Sequence, residues 1–231
     1  MQTIMEPSVN EVASGQHSGD FVPAALDPLS AAAYEAAQQL PGLTQEAILS
    51  TLGSSSPIAL AQLHTGETVL DLGCGGGIDV LLAARRVGLS GKAYGLDMTE
   101  EAVSLARSNR EKAGITNVEF LQGRIENIPL PDSSMNVVIS HGVINFSPDL
   151  NGVLAEAFRV LKPGGRLAVS DVVWRGEVGC PAGILEETDY LERLAAAGFK
   201  DASITPTGLV EEQGERPMDA FIRARKPTTH A

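Results

Sequence analysis

Cysteine, positive charge and long apolar runs are scarce in this chain of 231 residues, and each shortage excludes something. The two cysteines, Cys74 and Cys180, are too few and too far apart for a disulfide framework. A reducing compartment is therefore expected, with a cytoplasmic protein whose thiols stay available for chemistry. Lys and Arg number 17 against 29 Asp and Glu, a formal net charge of −12. Nucleic acid or an anionic membrane surface would demand the opposite sign, so neither is expected as a partner. No apolar run approaches the ~18 residues that suggest a bilayer span. Residues 1–15 carry neither the basic nor the apolar stretch of a secretory leader.

What is present is an ordinary globular composition, 43% apolar and 20% charged, which excludes a disordered or fibrous chain. The length suits one full-sized domain. Residues 1–30, scattered with Pro, Ser and Gly, read as a mobile arm of the kind that orders over a bound ligand. A single domain over residues 31–231 is expected to open on a helical cap. The cap comprises a helical pattern from Ala31 to Leu52, broken at Pro41 and Gly42, and a short helix from Ile58 to Leu63.

From Thr68 onward strand and helix alternate. Strands are expected at 68–72, 92–97, 117–121, 135–140 and 166–173, with two more around 202–206 and 219–224. Helical stripes lie between them, such as Leu150, Val153, Leu154, Ala157, Phe158 and Leu161. Thr99 is placed to cap a helix whose first turn carries Glu100 and Glu101. This order predicts an α/β fold: one Rossmann-like, doubly wound, mostly parallel sheet of seven strands. Ligands bind such sheets at the carboxyl ends of the strands, near the switch in strand order.

The strongest local signal runs from Val69 to Gly77, where a strand ends in Gly73, Cys74, Gly75, Gly76 and Gly77 and a helix begins. Backbone N–H groups and missing side chains let a ligand approach there. Asp97, twenty residues past Gly77 at the end of the second strand, can accept hydrogen bonds from both ribose hydroxyls of an adenosine. A dinucleotide would want a third glycine at the sixth motif position, where this chain has Ile78, and Asp71 within the first strand is foreign to that fingerprint. A tight strand-to-helix turn with no ligand is the other reading of Gly75 to Gly77.

The run from Asp71 to Gly77 resembles the D-x-G-x-G-x-G motif of class I S-adenosylmethionine-dependent methyltransferases. The resemblance implies S-adenosylmethionine as cofactor, with Asp71, Gly73, Cys74, Gly75 and Gly77 around its methionine part and Asp97 on the ribose. Met98 would pack against the adenine face or fill the core. Arg124 and Ile125 occupy the place where related enzymes contact the adenine edge. Arg124 cannot accept from the adenine amino group as an acid would, which leaves backbone contacts. Ser140, ending the fourth strand, completes the implied cofactor set, and no metal site is expected.

Ile139 to Asp149 resembles the I-S-N-C-V-I-N-L-S-P-D segment of arsenite methyltransferases. Leu96 to Thr99, Glu156 to Arg166, Val169 to Asp171 and Gly179 to Gly183 are similar to that family as well. The implied reaction is methyl transfer to trivalent arsenic, a soft centre that prefers thiolates and whose lone pair attacks the methyl group. The sequence departs from the family at its thiols. Gly142 replaces the fourth-strand cysteine, Gly53 to Pro57 carries serines where the family has G-C-G-x-P, and Cys180 alone falls at a family thiol position. A cellular thiol, glutathione or thioredoxin, would have to complete the site. Cys180 and His141 are the candidate catalytic residues, His141 as a base or as a loop residue near the cofactor. Trp174 and Tyr34 line a substrate pocket, pack in the core or lie exposed at the surface. Two alternatives remain open: a methyltransferase for a small organic O-, N- or C-nucleophile, and a non-catalytic cofactor-binding protein.

Overall fold

The computed structural model describes residues 35–44, 56–176, 180, 184–207 and 216–228. The expected arm over 1–30, most of the segment 31–52, Tyr34, Gly53 to Ser55 and the loop 208–215 lie outside the described residues.

The sheet grows outward from β1 (Thr68–Leu72), whose residues from Val69 onward are all buried, as a strand covered on both faces requires. β2 (Lys92–Asp97) and β4 (Met135–His141) pair with it in parallel on either side. β3 (Val118–Gln122) lies parallel beyond β2, and β5 (Leu161–Arg175) parallel beyond β4. β8 (Arg216–Arg225) runs antiparallel against β5, and β7 (Lys200–Pro206) antiparallel against β8. The order is β3-β2-β1-β4-β5-β8-β7, so the direction of strand addition reverses between β1 and β4.

The doubly wound, mostly parallel α/β sheet is as expected, with one strand added. The seven-strand path carries an eighth, β6 (Leu185–Glu186), paired in parallel with Val173 and Trp174 of β5. Two residues are too few to show a period-2 alternation, which is why the sequence does not announce it. β5 is also longer than the expected 166–173. It begins at Leu161, directly after the helix ends, and the register shifts between Met135 and Val137 absorb its irregular start.

Five helices cover the two faces among the described residues, and a helical turn at residues 35–38 is described as well. α1 (Pro57–Leu60) is shorter than the expected 58–63 and ends where Gln62 takes a left-handed φ of 46°. α2 (Ile78–Val87) is buried around most of its circumference, Asp79 included. α3 (Glu100–Ala113) starts on the Thr99 hydroxyl, which accepts from Ala102 N, and ends on a left-handed Gly114. α4 (Leu150–Val160) starts on Asp149, and its stripe of Leu150, Val153, Leu154, Ala157 and Val160 is buried. α5 (Glu187–Ala196) buries Tyr190 and Leu194. One apolar core joins the inner faces of α1, α2 and α3 to the sheet, and a second joins α4 and α5 to its opposite face. Arg159 of α4 holds the loop after β3 through Glu156, Asp132 and the carbonyls of Ile128 and Leu130. No helix among the described residues is long and apolar enough to cross a membrane.

Candidate active site

The carboxyl ends of β1, β2 and β4 converge at the switch in strand order, where an open α/β sheet presents its crevice. The glycine loop is the floor of that crevice. Most of its backbone donors are engaged within the protein: Gly73 N and Cys74 N both reach Leu96 O, at 2.8 and 3.0 Å, and Gly77 N reaches Cys74 O at 2.8 Å. Gly75 N donates to Asp97 Oδ2 at 3.0 Å. The loop therefore offers room and shape, with four of its N–H groups turned to partners within the protein.

Close packing under the loop explains its glycines. A Cβ on Gly73 would lie 2.5 Å from a Val143 methyl carbon, and one on Gly77 would lie 2.6 Å from the Phe120 ring. Gly77 also holds a left-handed φ of 77° as the residue before α2. Gly77→Ala is therefore expected to destabilise the fold by about 2 kcal/mol or more, combining backbone strain with overpacking. Urea denaturation of the two proteins checks it, and an unchanged midpoint would remove Phe120 as the reason for this glycine. At Gly75, by contrast, a Cβ would meet nothing within 4 Å, so that glycine faces open space.

Cys74 is buried beneath the loop with its sulfur turned towards Gly95 of β2. Burial, then the charges of Asp71 and Asp97, push its thiol far up, so it stays protonated and reaches a ligand only through its backbone. Asp71 is 3% exposed, and its Oδ1 is buried with no hydrogen-bond partner among the described residues. Burial first, and then the neighbouring charges of Asp79 and Asp97, raise its carboxyl well above the usual range. No Lys or Arg among the described residues pairs with Asp71, Asp79 or Asp97. An orphaned buried acceptor among three carboxylates favours a cationic ligand, whose charge would relieve both the repulsion and the desolvation.

Asp97 ends β2 with three contacts in place. Oδ2 accepts from Gly75 N, and Oδ1 accepts from Thr99 N and Thr99 Oγ1, both at 3.0 Å. Met98, next to it, is 65% exposed, so it does not fill the core. Arg124 is exposed and pairs with Glu126 at 3.2 Å, while Ile125 is half-buried against the second core. Glu126 in turn accepts from the Ser147 hydroxyl, tying the end of β3 to the loop after β4. Burial raises the Glu126 carboxyl, but Ser147, its own backbone N–H and Arg124 together outweigh that and hold it below the usual range. Ser140 is fully buried, its hydroxyl donating to Leu72 O at 2.9 Å, so it fastens β4 to β1.

His141 closes β4 opposite Ser170 of β5, with Nδ1 3.4 Å from Asp79 Oδ2. Gly142 follows at φ 62°, and a Cβ there would meet nothing within 4 Å. A one-turn 3-10 helix over Ile144–Phe146 leaves Phe146 85% exposed. Asn145 holds this turn to β5: its amide nitrogen donates to Asp171 Oδ1 at 2.9 Å and to Val172 O at 2.6 Å.

Cys180 reaches the same end of the sheet through β5. The strand runs on for five residues past Ser170, and from Arg166 to Arg175 its other edge is taken by β8. β6 must therefore occupy the edge that β4 vacates, which stacks it beyond the end of β4. Cys180 Sγ donates to the carbonyl of Ile184, the residue just before β6, at 3.2 Å. Burial, then the Glu186 carboxylate, raise its thiol pKa. The flanking residues 177–179 and 181–183 lie outside the described residues. Trp174 is buried within β5.

Two site elements escaped the sequence reading: Asp79 and Ser56. The Ser56 hydroxyl donates to Asp79 Oδ1 at 3.1 Å, both side chains being buried. An acidic residue in a helix first turn looks like a dipole partner, and only its complete burial marks it as different.

An arsenite methyltransferase from Halobacterium salinarum is 41% identical over 198 residues, covering 76% of this chain and 51% of the relative. Another from Aquipseudomonas alcaligenes is 38% identical over 182 residues, covering 66% and 52%. The chain thus spans about half the length of these curated relatives. Among solved structures, an arsenic(III) S-adenosylmethionine methyltransferase from Chlamydomonas reinhardtii superposes with a TM-score of 0.66 at 29% identity, covering 88% of this chain and 75% of that one. Residues 63–211, which hold the glycine loop, Asp97, His141 and Cys180, match the family described as a methyltransferase domain, and to that family this chain belongs.

Proposed function

We propose that the chain is an S-adenosylmethionine-dependent methyltransferase whose acceptor is trivalent arsenic. The observation that carries the reading is the stacking of β6 beyond the end of β4, which brings Ile184 and the Cys180 thiol bonded to its carbonyl to the end of the sheet that holds the glycine loop. S-adenosylmethionine carries a sulfonium and an ammonium group, and it supplies an electrophilic methyl when bound. Positive charge is what the orphaned Asp71 and its two neighbouring carboxylates lack.

The chain's own residues then have distinct tasks. Gly75 leaves open space for the ligand's approach. Asp97 offers acceptor capacity: a carboxylate takes about four hydrogen bonds, and three are in place. A ribose diol would take the open position on Oδ2 and the one held by the Thr99 hydroxyl. Exposed Met98 lies beside that position and supplies a polarizable face for adenine. Met98, Arg124, Ile125 and Ser140 thus divide into faces and fasteners, Ser140 acting by locking the β1–β4 seam.

Cys180 supplies one soft ligand for arsenic. The open space beside Gly142 leaves room for a small exogenous thiol such as glutathione to provide more. Placing arsenic in line with the methyl and excluding water is the main catalytic task, because the sulfonium carbon needs no further activation. The test is S-adenosylhomocysteine formation on adding arsenite and glutathione to the purified chain. Arsenite-dependent turnover supports the reading, and intact cofactor binding without any turnover on arsenite overturns it.

A further inference from the structure

Ser56, Asp79 and His141 are far apart in the chain and meet beside the glycine loop. Ser56 is fully buried and donates to Asp79 Oδ1 at 3.1 Å. Asp79, 2% exposed in the first turn of α2, turns Oδ2 to within 3.4 Å of His141 Nδ1. That nitrogen is buried and makes no hydrogen bond among the described residues. The His141 side chain nevertheless keeps 20% of its surface exposed, so the exposed part is the far edge of the ring, the edge of Nε2. A separation of 3.4 Å is typical of a catalytic pair before substrate tightens it. Asp171 of β5, buried and bonded to Asn145, also interacts electrostatically with His141, so buried carboxylates of α2 and β5 both act on the ring.

The geometry points to a proton-accepting dyad: Asp79, itself fixed by Ser56, holds His141 with its proton on Nδ1, so that Nε2 serves as base for a methyl acceptor that carries a hydroxyl. This rests on the arsenic reading for its substrate and narrows it to arsenic that retains at least one hydroxyl. In that reaction the lone pair of arsenic bound as Cys180-S–As(OH)2 forms the As–C bond while the S–CH3 bond of the sulfonium breaks and its electron pair stays on that sulfur. The methylated arsenic is left as a cation, Cys180-S–As(CH3)(OH)2+. One hydroxyl proton passes to His141 Nε2, giving neutral Cys180-S–As(CH3)(O)(OH) and an imidazolium paired with Asp79. Thiolate ligands on every arsenic position would leave no proton to remove. The loss of a thiol at Gly142, next to His141, fits an acceptor that keeps oxygen on this side.

The pairing is read first without turnover. In the ¹⁵N spectrum of the imidazole, the wild-type His141 ring is expected as the Nδ1–H tautomer, and Asp79→Asn should shift it towards Nε2–H. A wild-type Nε2–H ring, or no response to Asp79→Asn, overturns the dyad whatever the substrate. The base role is read from kinetics. His141→Gln should lower the turnover number on arsenite ~100-fold or more while the KM for arsenite stays within about threefold. Asp79→Asn should lower it ~10-fold or more, and added imidazole should restore part of the activity of His141→Gly. Cofactor affinity by calorimetry should be unchanged in His141→Gln, which separates a lost base from a lost fold. If the wild-type chain never turns over arsenite, the arsenic reading fails by itself, and a phenol takes its place in the same comparison. Full activity of His141→Gln on either acceptor, or no turnover of both by the wild-type chain, overturns the base.

Discussion

Asp97→Ala is expected to raise the dissociation constant for S-adenosylmethionine about 100-fold or more. Hydrogen bonds to a charged group contribute about 1.5–3 kcal/mol each, and a diol would make two of them. At about 1.4 kcal/mol per tenfold, the lower end already reaches two orders of magnitude. The substitution also releases Gly75 N and Thr99 N, which Asp97 holds at 3.0 Å, so the loop loses an anchor along with the ligand's acceptor. Asp97→Asn separates the two effects. Its amide oxygen still accepts from Thr99 N but carries no charge, and an intermediate loss of about tenfold is expected. Calorimetric titration of the three proteins checks the series. A constant within threefold of wild type for Asp97→Ala would sink the assignment of the ribose to β2.

Cys180→Ser should lower arsenite-dependent S-adenosylhomocysteine formation ~100-fold or more and leave cofactor affinity unchanged, because a hydroxyl is a poor ligand for a soft centre. The pH dependence sharpens this. Burial and then Glu186 raise the thiol pKa, so at neutral pH the sulfur is mostly protonated. Activity that depends on the thiolate must therefore rise as pH rises above neutrality. Glu186→Gln removes one of the two causes, lowers the thiol pKa and moves that rising limb to lower pH. Initial rates across the pH range, with glutathione held constant, make the measurement. Full arsenite-dependent activity of Cys180→Ser would end the arsenic role of this residue. A limb that moves to higher pH in Glu186→Gln would sink Glu186 as its neighbour.

Much of this was legible in the chain itself. The alternation of strands and helices predicts the doubly wound sheet because period-2 and period-3.6 patterns are local, and β1, β2 and α4 each carry a clear one. Thr99 as a cap and Gly73 to Gly77 as a loop follow from backbone rules that need no distant partner. The loop's behaviour was only half legible. Gly73 and Gly77 mark close packing, against Val143 and Phe120, whereas the N–H groups of Gly73, Cys74, Gly75 and Gly77 are engaged by Leu96, Asp97 and Cys74. A motif records that side chains are missing, but the partners of its backbone depend on what folds against it. Ser140 teaches the same lesson, since a serine at a strand end reads as a ligand contact until the Leu72 carbonyl is seen to take its hydroxyl.

Fold class, the position of the crevice and the acid at the end of β2 are all readable in the chain, because spacing along one or two adjacent elements fixes each of them. Tertiary structure alone decided which side chains meet across the crevice. Ser56 and Asp79 are 23 residues apart and join only because α1 and α2 share a face of the sheet. His141 joins them because β4 is placed beside β1, and Cys180 lies beyond β4 because β8 has taken the other edge of β5. Strand order sets these meetings, and no local periodicity encodes it.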